Sequence, residues 1–267
     1  MNQYKSQTLS VVVVTLNNQD SLANCLASAK WADEIIVLDA GSSDNTLKIA
    51  RHHKATVVYT PFKSSQQQQQ EAVALASCHW ILLLEPTDVV DEMLRHEIDG
   101  ILLNTPDHID GFTVQRELRF MGKAMPILLG NASKHALRLV KNSPVKNAAG
   151  LSSPIEAAEK CTTGNTIGKL DRKIISSPYN TLDQLFEAAL SFSTRQAFDY
   201  LRKKGLPKKP PGWFTLMKKT KAVSWRNFIC KGMAFKGTPF LAVAMADILI
   251  EYLTWVKVRA LFPQKQN

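Results

Sequence analysis

The chain has 267 residues, 45% apolar and 21% charged, a balance that excludes wholesale disorder and leaves room for one large domain with a helical appendage. Four scattered cysteines, Cys25, Cys78, Cys161 and Cys230, contain no CxxC pair, which argues against a zinc site or a disulfide framework and fits a reducing cytoplasm. The net charge of +10 is uneven: residues 1–130 carry 10 Lys/Arg against 15 Asp/Glu, and residues 131–267 carry 23 against 8. A basic half on an acidic half predicts two jobs, the basic one directed at nucleic acid, anionic lipid or a phosphorylated glycolipid. The opening MNQYKSQTLS has no apolar stretch of signal-peptide type.

In chain order, Leu9–Leu16 is a continuous β-branched run of the kind that forms a strand buried on both faces. Asp20 is a candidate cap for a helix in which Leu22, Cys25, Leu26 and Ala29 recur at helical spacing. Glu34–Leu38 reads as a second buried strand ending at Asp39, and Asp44 caps a short helix to about His53. Ala55–Tyr59 is a third strand, residues 66–77 favour helix, and Trp80–Leu84 is a fourth strand. Gly111–Leu118 and Ala136–Val140 extend the sheet, and Leu182–Lys204 is a helix with Leu185, Ala189, Phe192 and Gln196 on one face. The Pro- and Lys-rich KKGLPKKPPGW is a linker, and Thr238–Phe262 is a long apolar helix. Strands alternating with short helices predict an α/β fold with a doubly wound, mainly parallel sheet. Ligands of such sheets bind beyond the carboxyl ends of the strands.

Asp39-Ala40-Gly41-Ser42-Ser43-Asp44-Asn45-Thr46 stands directly after the second strand. Asp39 can accept hydrogen bonds from a nucleobase or ribose, Gly41 permits a tight turn, and Ser42 and Ser43 offer small hydroxyls. The same pattern also suits a capped turn with no ligand.

The wider arrangement, VVVVTLNN, then WADEIIVLDAGSSDNT, then WILLLEPTD, resembles family 2 glycosyltransferases over roughly residues 8–95, closest to the bacterial lipopolysaccharide-core type. The resemblance implies a GT-A fold, a uridine-diphosphate sugar donor and an inverting transfer to a glycolipid. It places residues 1–180 in a Rossmann-like nucleotide-sugar-binding domain and residues 181–267 in a basic helical tail. Thr15 and Asn17 then stand where the family contacts the base, and Asp39, with Gly41 and Ser42, where it holds the nucleoside. Relatives carry Asp-x-Asp or Asp-x-Asp-Glu after the fourth strand; this chain has Glu85-Pro86-Thr87-Asp88, leaving Glu85 and Asp88 as ligands for Mg²⁺ or Mn²⁺. Where relatives tend to carry Val-His-Glu this chain has Pro154-Ile155-Glu156, and where they place an Arg or Lys it has the glutamine run 66–70. An inverting transfer needs a carboxylate to deprotonate the acceptor hydroxyl, for which Glu156 is the first candidate and Asp110 the reserve. For either, a plain surface carboxylate is the alternative. His135, next to Lys134, is a candidate for the acceptor cleft or a merely structural histidine.

The tail interleaves Lys208, Lys209, Lys218, Lys219, Lys221 and Arg226 with Trp213, Phe214, Trp225, Phe228 and Phe235. That mixture suits an anionic membrane surface, a nucleic acid, or simply a solvated face. Asp247, Glu251, Lys257 and Arg259 interrupt Thr238–Phe262, which argues for an amphipathic helix on a bilayer or on the domain rather than one that crosses. Membrane contact is therefore preferred, and no nucleic acid partner is expected. The expected protein works on the cytoplasmic face of the membrane, with a nucleotide-sugar donor and a glycolipid acceptor. The alternative is a degenerate relative that keeps the fold as a scaffold subunit of envelope glycan synthesis.

Overall fold

The structure is a computed structural model that describes residues 7–61, 65–106, 108–125, 127–128, 131–132, 135–142, 166–205, 211–230 and 232–261. The chain forms two compact units, Met1–Glu117 with Ser133–Ser176, and Leu118–Ala132 with Ser177–Asn267. The second unit thus takes in residues 118–132 as well as the tail, and the remaining boundary lies near residue 177.

In the first unit β1 (Leu9–Thr15), β2 (Glu34–Asp39), β3 (Thr56–Tyr59) and β4 (Trp80–Leu84) lie parallel in the order β3-β2-β1-β4. Side chains alternate across the pleat, so the apolar run of β1 feeds two cores. Val11 and Val13 join Leu82 and Leu84 against Leu22, Cys25 and Leu26 of α1 (Gln19–Ala29) and Leu94 and Ile98 of α4 (Glu92–Asn104). Val12 joins Ile36, Leu38, Ile81 and Leu83 against Val73 of α3 (Ser65–Leu75). Each such side chain contributes about 1.5–3 kcal/mol on burial, whereas α2 (Thr46–His52), seven residues long, is too short to stand on propensity.

The N-terminus of α1 differs from expectation. The cap position is Asn18, with Asp20 inside the first turn, and the Asn18 side chain makes no capping bond. Asp44 from the neighbouring loop instead accepts from Gln19 N at 3.1 Å, and Thr46 Oγ1 accepts from Asn18 N at 2.9 Å. A tertiary partner has taken over the local capping role.

Beyond β4 the order continues β10-β6-β11-β5, and β10 (His135–Lys141) pairs antiparallel with both β4 and β6 (Ile109–Phe120). The register of β10 against β6 shifts between Leu137 and Leu139, a bulge that puts these two leucines in opposite cores and makes Arg138 the extra residue. The short β5 (Asp88–Val89) pairs antiparallel with β11 (Thr166–Tyr179), a 14-residue strand that the sequence reading does not anticipate.

In the second unit β7 (Lys123–Met125) pairs with the last residues of β6, and two-residue strands β8 (Ile127–Leu128) and β9 (Asn131–Ala132) form a hairpin. Leu118, Phe120 and Met125 join Leu185 and Ala189 of α5 (Leu182–Lys204) and Val243, Ala246 and Ile250 of α7 (Thr238–Ala260) in its core. Between those helices in the sequence comes α6 (Trp213–Trp225). On α7 the acids lie beside the packed stripe rather than on an outward polar face. Asp247 accepts from Asn227 Nδ2 at 3.0 Å, Glu251 accepts from Trp255 Nε1 at 2.7 Å, and Thr254 and Val258 are buried. Leu241, Met245 and Tyr252 are exposed on the same helix, so it is less amphipathic than the sequence predicts. By length and composition α7 is apolar enough to cross a membrane, with 28% of its most apolar window buried.

Candidate functional site

Two parallel strands end side by side at Thr15 and Asp39, which pair in register, and their loops lock together. Asn17 takes a left-handed φ of 52°, so its N–H meets Ser42 Oγ at 2.8 Å while its Oδ1 accepts from Ser43 N at 2.9 Å. Asp39 is fully buried. Its Oδ2 accepts from Gly41 N and Ser42 N, each at 2.9 Å, and its Oδ1 accepts from the Ser42 hydroxyl at 2.5 Å. Gly41 sits at φ 107°, where any side chain would strain the turn. Asp44 then accepts from Thr46 N at 2.9 Å as well as from Gln19 N. Slight burial opposes the Asp44 charge, yet those bonds outweigh it and hold the carboxyl below its usual range. The Thr15 hydroxyl is buried and accepts from Asn18 Nδ2 at 3.1 Å. The expected nucleoside residues Thr15, Asn17, Asp39, Gly41 and Ser42 are therefore one hydrogen-bonded cluster at the carboxyl edge of the sheet, with the Asp39 carboxylate directed into the loop.

Beyond β4 the turn Glu85–Asp88 is closed by two reciprocal bonds. Glu85 N donates to Asp88 Oδ2 at 2.9 Å, and Asp88 N donates to Glu85 O at 2.9 Å. Arg116 from β6 contacts Glu85 Oε1 and reaches Asp88 Oδ2 at 3.2 Å, while Arg138, at the bulge of β10, reaches the same Glu85 oxygen at 3.0 Å. Asp88 is fully buried, and burial is the main cause of its raised pKa, with the Glu85 charge adding to it against the two arginines. Burial also opposes the Glu85 charge, but the hydrogen bonds and charges of Arg116 and Arg138 prevail and lower its pKa. Cys25 Sγ lies 3.4 Å from Glu85 O, and its thiol is pushed up by burial first and by the Asp88 charge second, so it is no nucleophile.

Glu85 and Asp88, the expected ligands of Mg²⁺ or Mn²⁺, do not fit a divalent cation as arranged. A hard cation takes about six oxygens and needs carboxylates that face it. Here Asp88 has no exposure and serves the turn, while Glu85 shares one oxygen between two guanidiniums whose charge repels a second cation. No group of three or more His, Cys, Asp or Glu suited to a metal ion occurs among the described residues.

Beside this cluster a cavity of ≈ 230 Å³ opens over Val12, Val14 and Leu83, with Gln68, Glu85 and Arg138 at its polar side. The Gln68 side chain is 2% exposed, and its Nε2 has no hydrogen-bond partner among the described residues. Arg116 and Arg138 are the residues that sequence reasoning missed, while Gln68 falls in the glutamine run 66–70, which the sequence marks only as a departure from the family and not as a site. A basic residue inside an apolar strand run, as in Ala136-Leu137-Arg138-Leu139, is the signal that could have found one of them.

Glu156, the first candidate base, lies outside the described residues. Asp110 is buried, but the register separates it from the site. Gly111 is level with Val140 and Ile81, so Asp110 lies near the level of Trp80, about 16 Å along the strand from Glu85 at ~3.3 Å per residue. The reserve base is thus at the opposite edge of the sheet. His135 opens β10.

The model of the family described as Glycosyl transferase family 2 matches residues 10–118, which contain both loop clusters and Arg116. Lipopolysaccharide core biosynthesis glycosyltransferase LpsC of Rhizobium meliloti is 28% identical over 119 residues, 43% of this chain and 44% of that protein. An uncharacterized glycosyltransferase of Rickettsia conorii is 30% identical over 102 residues, 38% of this chain and 36% of its own length. The chain therefore spans less than half the length of these curated relatives. The mannosyltransferase PcManGT of Pyrobaculum calidifontis, solved with GDP-Man and Mn²⁺, superposes with a TM-score of 0.50 at 12% identity, over 95% of this chain and 74% of that one, a likeness of fold alone. The sheet is that of a GT-A fold, and residues 10–118 are similar to family 2 glycosyltransferases.

Proposed function

We propose that the chain is an inverting glycosyltransferase that moves a sugar from a nucleotide-sugar, a UDP-sugar, to a lipid-linked acceptor such as lipopolysaccharide core. The observation that carries the reading is the interlocked pair of loops after β1 and β2, within the residues that match the family 2 model, at the sheet edge where such folds take their ligands. Asn17, Gly41 and Ser42 present the nucleoside-binding surface, which Asp39 orders from beneath, with Thr15 at its base. Glu156 is the proposed base for the acceptor hydroxyl. The similarity to LpsC supports the lipid-linked acceptor. Incubating the full chain with a panel of UDP-sugars and extracted core lipid is expected to release UDP only when the acceptor is present. A folded sample that binds UDP and never turns over would instead establish the second reading, a catalytically degenerate scaffold protein of envelope glycan synthesis. The engagement of Glu85 and Asp88 by arginines favours that second reading.

The proposed location is the cytoplasmic face of the membrane, with the second unit as the docking element. On α6, Leu216 and Val223 are buried, while Trp213, Met217 and Trp225, with Lys221, share the opposite stripe. Phe214 is 87% exposed and Phe235 91%, far beyond what a solvated face needs. Exposed aromatics among lysines match an anionic lipid interface. Flotation with phosphatidylglycerol vesicles is expected for wild type and should fall about tenfold in a Trp213→Glu, Phe214→Glu double variant, since two interfacial anchors are lost. Equal flotation with neutral vesicles, or displacement by nucleic acid in preference to lipid, would reject the docking surface.

A further inference from the structure

We propose that this chain binds the diphosphate of its nucleotide through the Arg138 guanidinium, with the Gln68 amide beside it, in place of a divalent cation. The inference rests on the nucleotide-sugar reading above and departs from the metal chemistry which that reading would ordinarily include. A leaving diphosphate needs positive charge or N–H donors where its own charge develops. The turn after β4 offers no cation site, because Asp88 is sealed beneath it and Glu85 is held by two guanidiniums. Positive charge is nevertheless built into the same place.

The bulge at Leu137/Leu139 aims Arg138 over the carboxyl end of β4. A guanidinium has five N–H donors in a planar fork, and the bond to Glu85 engages one of its nitrogens, Nη2. Such a fork matches phosphate oxygens in two-point contacts. The cavity that Arg138 lines also takes in Gln68, whose buried Nε2 has no partner among the described residues. A buried amide left without an acceptor is costly, so an acceptor brought by a ligand explains its placement. Arg116 stands behind, ion-paired to both carboxylates, and keeps Glu85 turned towards the arginines. The apolar side of the cavity, Val12, Val14 and Leu83, excludes water and strengthens each of these contacts.

The test is calorimetric binding of UDP and of uridine to the full chain, in EDTA and in Mn²⁺, for wild type, Arg138→Ala, Arg138→Lys and Gln68→Ala. The expected result is UDP binding in EDTA that Mn²⁺ does not strengthen. Arg138→Ala should weaken UDP about 10- to 100-fold, the scale of a charged hydrogen bond, and leave uridine unchanged. Unchanged uridine binding also reports that the variant is folded. Arg138→Lys should recover part of the loss, since it keeps the charge and loses the fork. Gln68→Ala should weaken UDP less than Arg138→Ala does. UDP binding that requires Mn²⁺, or that survives Arg138→Ala intact, overturns the proposal and leaves the nucleotide reading standing. No binding of UDP or uridine by folded wild type removes the nucleotide reading itself, and this proposal with it.

Discussion

Replacing Arg116 by methionine is expected to lower the free energy of unfolding by about 3–5 kcal/mol near neutral pH, the scale for removing one partner of a buried ion pair. Arg116 is the cation that reaches both carboxylates of the turn, at 3.2 Å from Asp88 Oδ2 and in contact with Glu85 Oε1. Asp88 has no exposure and its Oδ1 has no partner among the described residues, so without Arg116 its charge is poorly compensated. The pH dependence follows from the two shifts. A carboxyl raised by burial, as in Asp88, stabilises the fold less as pH climbs from its ordinary 3.8 through its folded value. A lowered carboxyl, as in Glu85, stabilises fully above its ordinary 4.5 and loses that contribution as pH falls. In wild type the trends oppose each other. Without Arg116, Glu85 loses its leading hydrogen-bond partner and Asp88 a restraining charge, so both changes penalise the ionised turn. The deficit of Arg116→Met should be smallest near pH ~4 and largest near pH ~7, where both carboxyls ionise in the unfolded chain. Urea unfolding at those two pH values measures it. Adding Asp88→Asn to Arg116→Met should restore part of the loss, because the amide keeps an acceptor for Glu85 N–H without the charge. A deficit independent of pH would mean that Arg116 acts through packing alone.

The parallel half of the sheet was legible because its signal is local. LSVVVV, EIIVL and WILLL are short, largely β-branched or leucine-rich apolar runs of the length of a strand buried on both faces, and each is followed by a polar residue where the site begins. The helix α5 has the bounds read from sequence, since Thr181 caps its start and Gly205 its end. What was missed depends on partners distant in sequence. In β11 the buried leucine and isoleucine, Leu170 and Ile174, are four apart with Asp171, Arg172 and Lys173 between them, a spacing that fits a helix as well as a strand. The consecutive N–H groups of Asp171 and Arg172 both donate to Glu97, a tertiary contact that no local pattern encodes. Arg138 was hidden for a similar reason. Strict alternation through ALRLV would put Leu137 and Leu139 on one face, and only the register shift against β6 separates them. The carboxylates of the turn were found from their position in the motif. Their neutralisation by Arg116 and Arg138 needed the sheet to bring β6 and β10 to them.

Asp39→Ala is expected to reduce UDP affinity and any sugar transfer about 100-fold or more, since it removes several hydrogen bonds to a charged acceptor, each about 1.5–3 kcal/mol. The mechanism differs from the simplest one, in which the carboxylate touches the nucleoside. Its two oxygens already accept from Gly41 N, Ser42 N and Ser42 Oγ, and the residue has no exposure. Loss of those bonds would free Gly41 from its φ of 107° and detach Ser42 from Asn17. Asp39→Asn separates the two roles. An asparagine can place Oδ1 where it accepts from Gly41 N and Ser42 N, and its amide nitrogen can donate to Ser42 Oγ once that hydroxyl rotates. Ser42 Oγ has two lone pairs, enough for Asn17 N–H and the new amide together. If Asp39 acts by ordering the loop, Asp39→Asn should retain UDP binding within about tenfold of wild type while Asp39→Ala loses it. If the carboxylate must instead swing out to meet the nucleoside, the asparagine variant should fail as badly as the alanine one. Calorimetry with UDP on the three proteins distinguishes the cases, with uridine alone reporting whether the loss lies at the nucleoside or at the phosphates.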